Sequence, residues 1–242
     1  MLNFRKENNM VGTLYGLGVG PGDPELITVK AFRKLKESAV IAYPKKPRGK
    51  RSYAQKIIDA YFAPHEKEWL GLVFPMTKDP DILEKKWNET VDLVWEKLQQ
   101  GKDVAFVTEG DPLLYSTFIH MMRLMQERHP EVKIEVVPGI SSVNGAASRL
   151  GLPLADGDEQ VAIVPARADH EAMKKALEDN DCVIFIKVAK VLDEMLALLR
   201  EMKLLDKASV VTKATSDEEI IWKASELEGA ELEYLTLMVV KK

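Results

Sequence analysis

The residues best suited to chemistry gather in a few short stretches. Residues 16–24 read GLGVGPGDP and follow an apolar run at 11–15, with Gly16, Gly18, Gly20 and Gly22 at alternate positions. A strand that stops in such a loop and enters a helix makes a tight connection at the carboxyl edge of a sheet, where open α/β folds hold ligands. The glycines let the backbone adopt positive φ and let a ligand come close. Asp23 is placed to cap the helix that follows, with Pro24 in its first turn. A dinucleotide fingerprint is not satisfied. A G-x-G-x-x-G frame from Gly16 meets Pro21 at its last glycine, and a frame from Gly18 meets Asp23 there. The readings left are a nucleotide-like ligand or a plain strand–helix connection.

Two further stretches carry polar groups to the same kind of position. Residues 107–115 read VTEGDPLLY and offer Thr108, Glu109, Gly110 and Asp111, while residues 136–147 read VVPGISSVNGAA and offer Ser141 and Ser142. Asp111 is expected to cap a helix at 113–128 with Pro112 at its first position, and a carboxylate there can also touch a ligand. The small residues after Ser142 let backbone amides near a helix start reach a ligand, or serve close helix–sheet packing. Residues 43–51, YPKKPRGKR, bring Lys45, Lys46, Arg48, Lys50 and Arg51 together. That cluster suits a substrate with several carboxylates, a solvated basic loop, or RNA; no aromatic–glycine RNA motif accompanies it. His65, His120, His129 and His170 lack metal-ligand spacing, so no protein-built metal site is expected. The single cysteine, Cys182, excludes an internal disulfide and reads as a buried, inert thiol.

These stretches need a scaffold, and the pattern supplies one. Strands are expected at 11–17, 39–42, 72–74, 104–107 and 134–137. Helices are expected at 25–36, 53–62, 81–99, 113–128 and 142–150, an alternation that argues for a mainly parallel sheet with helices on both faces. In the third helix Ile82, Leu83, Trp87, Val91, Val94, Trp95 and Leu98 form one apolar stripe, so its tryptophans read as core. The Gly-, Pro- and Asp-rich residues 151–159, GLPLADGDE, mark a linker between domains at 11–150 and 160–242. Beyond it come strand 160–164, helix 169–178, strand 182–188, helix 192–202 and strands 208–213, 219–223 and 234–240. Short links between the last strands predict a mixed sheet.

With 242 residues, the chain can bury sizeable cores. A formal charge of -4 gives no global basic field, so nucleic-acid binding would need a local patch, and no nucleic-acid partner is the expectation. No apolar run is long enough to span a bilayer and residues 1–9 lack a signal-peptide core, which predicts a cytoplasmic protein without a membrane partner; Met10 is a candidate natural start.

GLGVGPGDP, VTEGDPLLY and VVPGISSVNGAA, in that order, resemble the motifs of the tetrapyrrole (corrin/porphyrin) methyltransferase family, and the resemblance runs from about Met10 to the end. Within the family it is nearest to the group that methylates C20 of precorrin-2 or cobalt-factor II in cobalamin biosynthesis. The resemblance implies two α/β domains, S-adenosylmethionine in the cleft between them, a tetrapyrrole substrate and a homodimer. It carries cofactor contacts onto Pro21, Glu109, Gly110, Asp111, Leu114, Ser141 and Ser142, and onto Lys187, Ala214 and Leu237 in the second domain. Ile186-Lys187 stands where many relatives have an aromatic–Met pair, whereas Lys187-Val188 resembles the C20 group. Gly20, Lys45, Lys46, Arg48 and Arg51 are the candidate substrate contacts. Asp111, Lys187 and Tyr234 are the candidate catalytic residues, Asp111 for proton movement and the other two for orienting the ring or its carboxylates. Rival readings are the same fold acting on another corrin carbon, on protein as in diphthine synthase, or on ribosomal RNA ribose. From other classes come a non-catalytic tetrapyrrole or nucleoside binder and, more remotely, a nicotinamide oxidoreductase.

Overall fold

The computed structural model describes residues 11–45, 52–63, 65–74 and 79–242. The chain divides into two compact units between Ser141 and Ser142.

The first unit is a parallel sheet in the order β3-β2-β4-β1-β5, from β1 (Leu14–Gly18), β2 (Val40–Lys45), β3 (Glu68–Val73), β4 (Val104–Thr108) and β5 (Ile134–Val137). Its helices are α1 (Val29–Glu37), α2 (Tyr53–Ile58), α3 (Pro80–Leu98) and α4 (Phe118–Arg128). The central strands LYGLG and VAFVT are buried along their whole length, as expected where helices cover both faces of a parallel sheet. Successive side chains turn to opposite faces. Leu14, Val104 and Phe106 pack with Val91, Val94, Leu98, Phe118 and Met121 of α3 and α4. Tyr15, Leu17, Ala105 and Val107 pack with Leu35, Ile57 and Ile58 of α1 and α2.

The second unit is a mixed sheet in the order β6-β7-β10-β8-β9. Its strands are β6 (Val161–Pro165), β7 (Cys182–Ile186), β8 (Ala208–Thr212), β9 (Ile220–Lys223) and β10 (Thr236–Lys241). β6 and β7 are parallel; β10 runs antiparallel between β7 and β8, and β9 is antiparallel to β8. One face buries Phe185, Val210 and Met238 against Met173 and Leu177 of α6 (His170–Asp179) and Leu196 and Leu199 of α7 (Leu192–Glu201). The other buries Cys182, Ile184, Val211, Leu237 and Val239 against Val143 and Ala146 of α5 (Ser142–Leu150). That packing is why the division precedes α5 instead of falling in the expected linker at 151–159.

Three helices differ from expectation. The one expected at 25–36 is a 3-10 turn, Pro24–Leu26, capped by Asp23, followed by extended Ile27 and then α1, whose first turn is capped by Thr28. α2 stops at Ile58. α4 starts at Phe118, not 113, because Tyr115 takes a left-handed φ of 54° that breaks any helix through 113–117.

Candidate functional site

β1 and β4 are neighbours, yet β1 leads through α1 to β2 on the far side of β4, and β4 leads through α4 to β5 on the far side of β1. Adjacent strands whose connections diverge create a crevice at their carboxyl ends. The loops there are pinned backbone to backbone: Val19 N–H donates to the Thr108 carbonyl at 3.0 Å, and Gly110 N–H donates to the Gly20 carbonyl at 2.8 Å. Asp111 ties in the loop after β5, since one carboxylate oxygen accepts from Leu113 N–H at 2.8 Å and the other from Gly139 N–H at 3.0 Å. Asp111 therefore closes a turn and bridges two loops; it is not the cap of α4, whose N-cap position is Thr117.

The glycines of the first loop mostly serve this packing. A Cβ on Gly18 would lie 2.5 Å from the Gly110 carbonyl oxygen and 2.6 Å from Gly139 Cα. A Cβ on Gly16 would strike the Phe118 ring at 2.2 Å. Of the four glycines that permit positive φ, only Gly20 takes it, at 90°. Gly110, opposite it, has φ 66°.

At this edge Pro21 and Gly110 are buried, Glu109 is half-buried, and Ser141, buried, immediately precedes α5, which opens with Ser142. Leu113, Leu114 and Tyr115 are held exposed beside the crevice. Their base is fixed by a short relay: Ser116 Oγ donates to Thr108 Oγ1 at 3.1 Å and accepts from Phe118 N–H at 3.1 Å. Lys45 is exposed at the carboxyl end of β2. Lys46, Arg48 and Arg51 lie outside the described residues.

In the second unit the remaining candidates meet at one end of the sheet. Leu237, near the start of β10, pairs with Ile186 at the end of β7. Lys187 follows with φ 60° and an exposed side chain. Beyond β8, buried Ala214 stands between Lys213, φ 48°, and Thr215, φ 70°. Tyr234, 53% exposed, precedes β10. Left-handed backbone at non-glycine residues costs of order 1–3 kcal/mol each and clusters where surrounding structure fixes it for a purpose. Here Lys213 N–H donates to the Leu235 carbonyl at 2.8 Å, and the Lys213 ammonium pairs with Glu218 and, at 2.8 Å, Glu233. Hydrogen bonds first to Glu218, then to Glu233, raise the Lys213 pKa above the usual lysine value. No glycine marks this cluster, and the polar turn TSDEE at 215–219 is the one local signal beside it.

The groups at both edges are backbone amides and carbonyls, serine hydroxyls, carboxylates and apolar side chains. Glu109 and Asp111 beside the glycine loop oppose a pyrophosphate but suit a ligand with ribose hydroxyls and positive charge. Leu114, exposed beside the first unit's crevice, offers such a ligand an apolar contact. The first unit's edge therefore fits S-adenosylmethionine and does not fit a dinucleotide. Cavities of about 370 Å³ between α3 and α4, lined by Trp87 and His120, and of about 210 Å³ between α6 and α7 lie on helical faces and include none of these residues. Among the described residues no cluster of three or more His, Cys, Asp or Glu side chains is placed to hold a metal, and no helix is long and apolar enough to cross a membrane.

A parallel α/β unit with a crevice at its switch point, followed by a mixed α/β unit, defines a class of ligand-binding α/β protein. Residues 13–228 match the family described as Tetrapyrrole (Corrin/Porphyrin) Methylases, and the chain belongs to that family of methyltransferases. It is 37% identical over 240 residues to a probable cobalt-precorrin-2 C(20)-methyltransferase of Methanocaldococcus jannaschii, covering 97% of this chain and 98% of the relative. It is 31% identical to the precorrin-2 C(20)-methyltransferase of Sinorhizobium sp, covering 95% of each chain. It is 33% identical to the cobalt-precorrin-2 C(20)-methyltransferase of Salmonella typhimurium, covering 88% of this chain and 89% of that one. Among solved structures, a cobalt precorrin-4 methyltransferase superposes with TM-score 0.73 at 24% identity, covering 96% and 95% of the two chains. A uroporphyrin-III C-methyltransferase from Thermus thermophilus, complexed with S-adenosylhomocysteine, gives TM-score 0.66 at 23% identity over 96% and 98%. Both likenesses are in fold.

Proposed function

We propose that this protein transfers a methyl group from S-adenosylmethionine to C20 of precorrin-2 or its cobalt complex in cobalamin biosynthesis. The observation that carries the reading is full-length identity to C20-methyltransferases, reaching 37%, together with the pinned crevice at the first sheet edge. The 37% identical relative is named for the cobalt-bearing substrate, which favours that form.

The cofactor supplies a methyl group on a sulfonium, already activated. The protein's part is to bind, orient and exclude water, which can account for about 7–11 kcal/mol of a barrier. In this reading Pro21, Glu109, Gly110, Asp111, Leu114, Ser141, Ser142, Lys187, Ala214 and Leu237 hold the cofactor. Gly20, Lys45, Lys46, Arg48 and Arg51 receive the tetrapyrrole, the cations meeting its carboxylates by charge-assisted hydrogen bonds. When bound, the cofactor would supply its methyl group to C20 and keep the bond's electrons on sulfur, and C20 would release its proton. Asp111 assists that proton's departure and holds the loops; Lys187 and Tyr234 orient the ring. Homodimerisation in the cytoplasm belongs to the same reading, and sedimentation tests the assembly. Incubation with S-adenosylmethionine and candidate tetrapyrroles, followed by mass spectrometry, tests the activity. Methylation of protein or RNA in place of a tetrapyrrole would overturn it.

A further inference from the structure

We infer that Glu219 is a positioning residue for the cofactor-binding segment at 213–215, acting through the Thr215 amide and held in place by Arg149. The inference rests on the reading above that Ala214 touches the cofactor. Glu219 lies just before β9, and its side chain is only 8% exposed. One carboxylate oxygen accepts from Thr215 N–H at 2.6 Å. The other accepts from Arg149 Nε at 2.7 Å. Arg149 belongs to the last turn of α5, so this carboxylate joins that helix to the loop after β8.

The joined loop is one the chain does not hold on its own. Lys213 and Thr215, on either side of Ala214, both have left-handed backbones, and Thr215 is β-branched. Such a conformation persists only where its surroundings over-determine it. Lys213 is fixed by Glu218 and Glu233, and its carbonyl accepts from Ser216 N–H at 3.1 Å and Ser216 Oγ at 2.9 Å. Glu219 performs the equivalent service for Thr215. The peptide groups around Ala214 therefore point where Glu219 and the Lys213 cluster direct them. Glu219 is given no contact with cofactor or tetrapyrrole; its effect reaches the ligand only through backbone direction.

The test is calorimetric binding of S-adenosylhomocysteine, with hydrogen exchange over 213–216 in the wild-type protein. In wild type the ligand is expected to slow exchange in that segment. Glu219→Ala is expected to weaken binding by about tenfold, the scale set by losing a buried charged acceptor. Glu219→Gln, which can still accept from Thr215, is expected to stay within about threefold. Arg149→Ala removes an exposed side chain that the fold can spare and is expected to weaken binding about threefold. In steady state KM for S-adenosylmethionine should rise while KM for the tetrapyrrole holds; a merely structural role would move both together and lower the melting temperature. Wild-type exchange unaffected by the ligand would overturn the underlying reading. Slowed exchange in wild type with unchanged affinity in a folded Glu219→Ala, or in Arg149→Ala should the former not fold, would overturn the role of Glu219 alone.

Discussion

At the scale of the residue, Gly139 has no room for a side chain: a Cβ there would stand 2.1 Å from the Gly110 carbonyl oxygen and 2.7 Å from Gly18 Cα. The obstacles are backbone, so Gly139→Ala must push the loops apart. It is expected to cost about 2–4 kcal/mol and to weaken S-adenosylhomocysteine binding, read by denaturant unfolding and calorimetry; a neutral substitution would refute the pinned-loop account. Asp111 stands on the same ground. Asp111→Ala should cut turnover more than cofactor affinity, and wild-type turnover would remove its proposed role. Lys213 gives a pH prediction. Its folded pKa lies above the usual 10.5 through Glu218 and Glu233, so its pairing contributes fully below that value and is lost only as pH rises through the folded pKa. The difference in stability between wild type and Lys213→Met should therefore stay constant between about pH 6 and 9 in denaturant unfolding, and a difference that shrinks across that window would contradict the pairing. Cys182 is buried, which pushes its thiol above the usual 9.0. At about pH 8 a thiol reagent should label it only on unfolding, and fast native labelling would contradict the packing of β7. Residue identity offered Asp111 and the serines as site candidates, and Pro21 came only with the family resemblance. Residue identity left the glycines open, because alternate glycines signal close approach without saying whether a ligand or another loop comes near.

At the scale of the element, the strand VAFVT and the α3 stripe were legible because burial on both faces and helical periodicity leave strong patterns. Val91, Val94 and Leu98 are fully buried as that stripe predicts, although Ile82 at its start is exposed. The starts of α1 and α4 were not legible, since a local 3-10 turn and the left-handed Tyr115 compete with helix through side-chain-to-backbone bonds. The fit between β1 and α4 offers a test. Gly16→Ala would drive a methyl into the Phe118 ring and should destabilise the protein by about 1–3 kcal/mol. In a Phe118→Leu background that cost should shrink, giving a coupling of about 1 kcal/mol or more in a double-mutant cycle. Strict additivity would mean the two elements do not meet as described.

At the scale of the whole molecule, the sequence pattern conveyed two α/β units and the parallel and mixed character of their sheets. The division itself came earlier than composition suggested, because the apolar face of α5 packs on the second sheet and the Gly- and Pro-rich 151–159 merely follows that helix. Strand order in the second sheet was equally hidden: β10 enters between β7 and β8, and no local signal records a pairing between distant segments. Within the first unit the motif residues stand at the carboxyl edge of the parallel sheet, and within the second Lys187 and Leu237 stand at one end of the mixed sheet. The most direct measurement is anaerobic incubation of the protein with S-adenosylmethionine and precorrin-2, with and without cobalt, followed by mass spectrometry and location of the new methyl. One methyl added at C20, with the cobalt complex the better substrate, is the predicted result. A methyl at another carbon, or none on either tetrapyrrole while S-adenosylhomocysteine binds tightly, would contradict it.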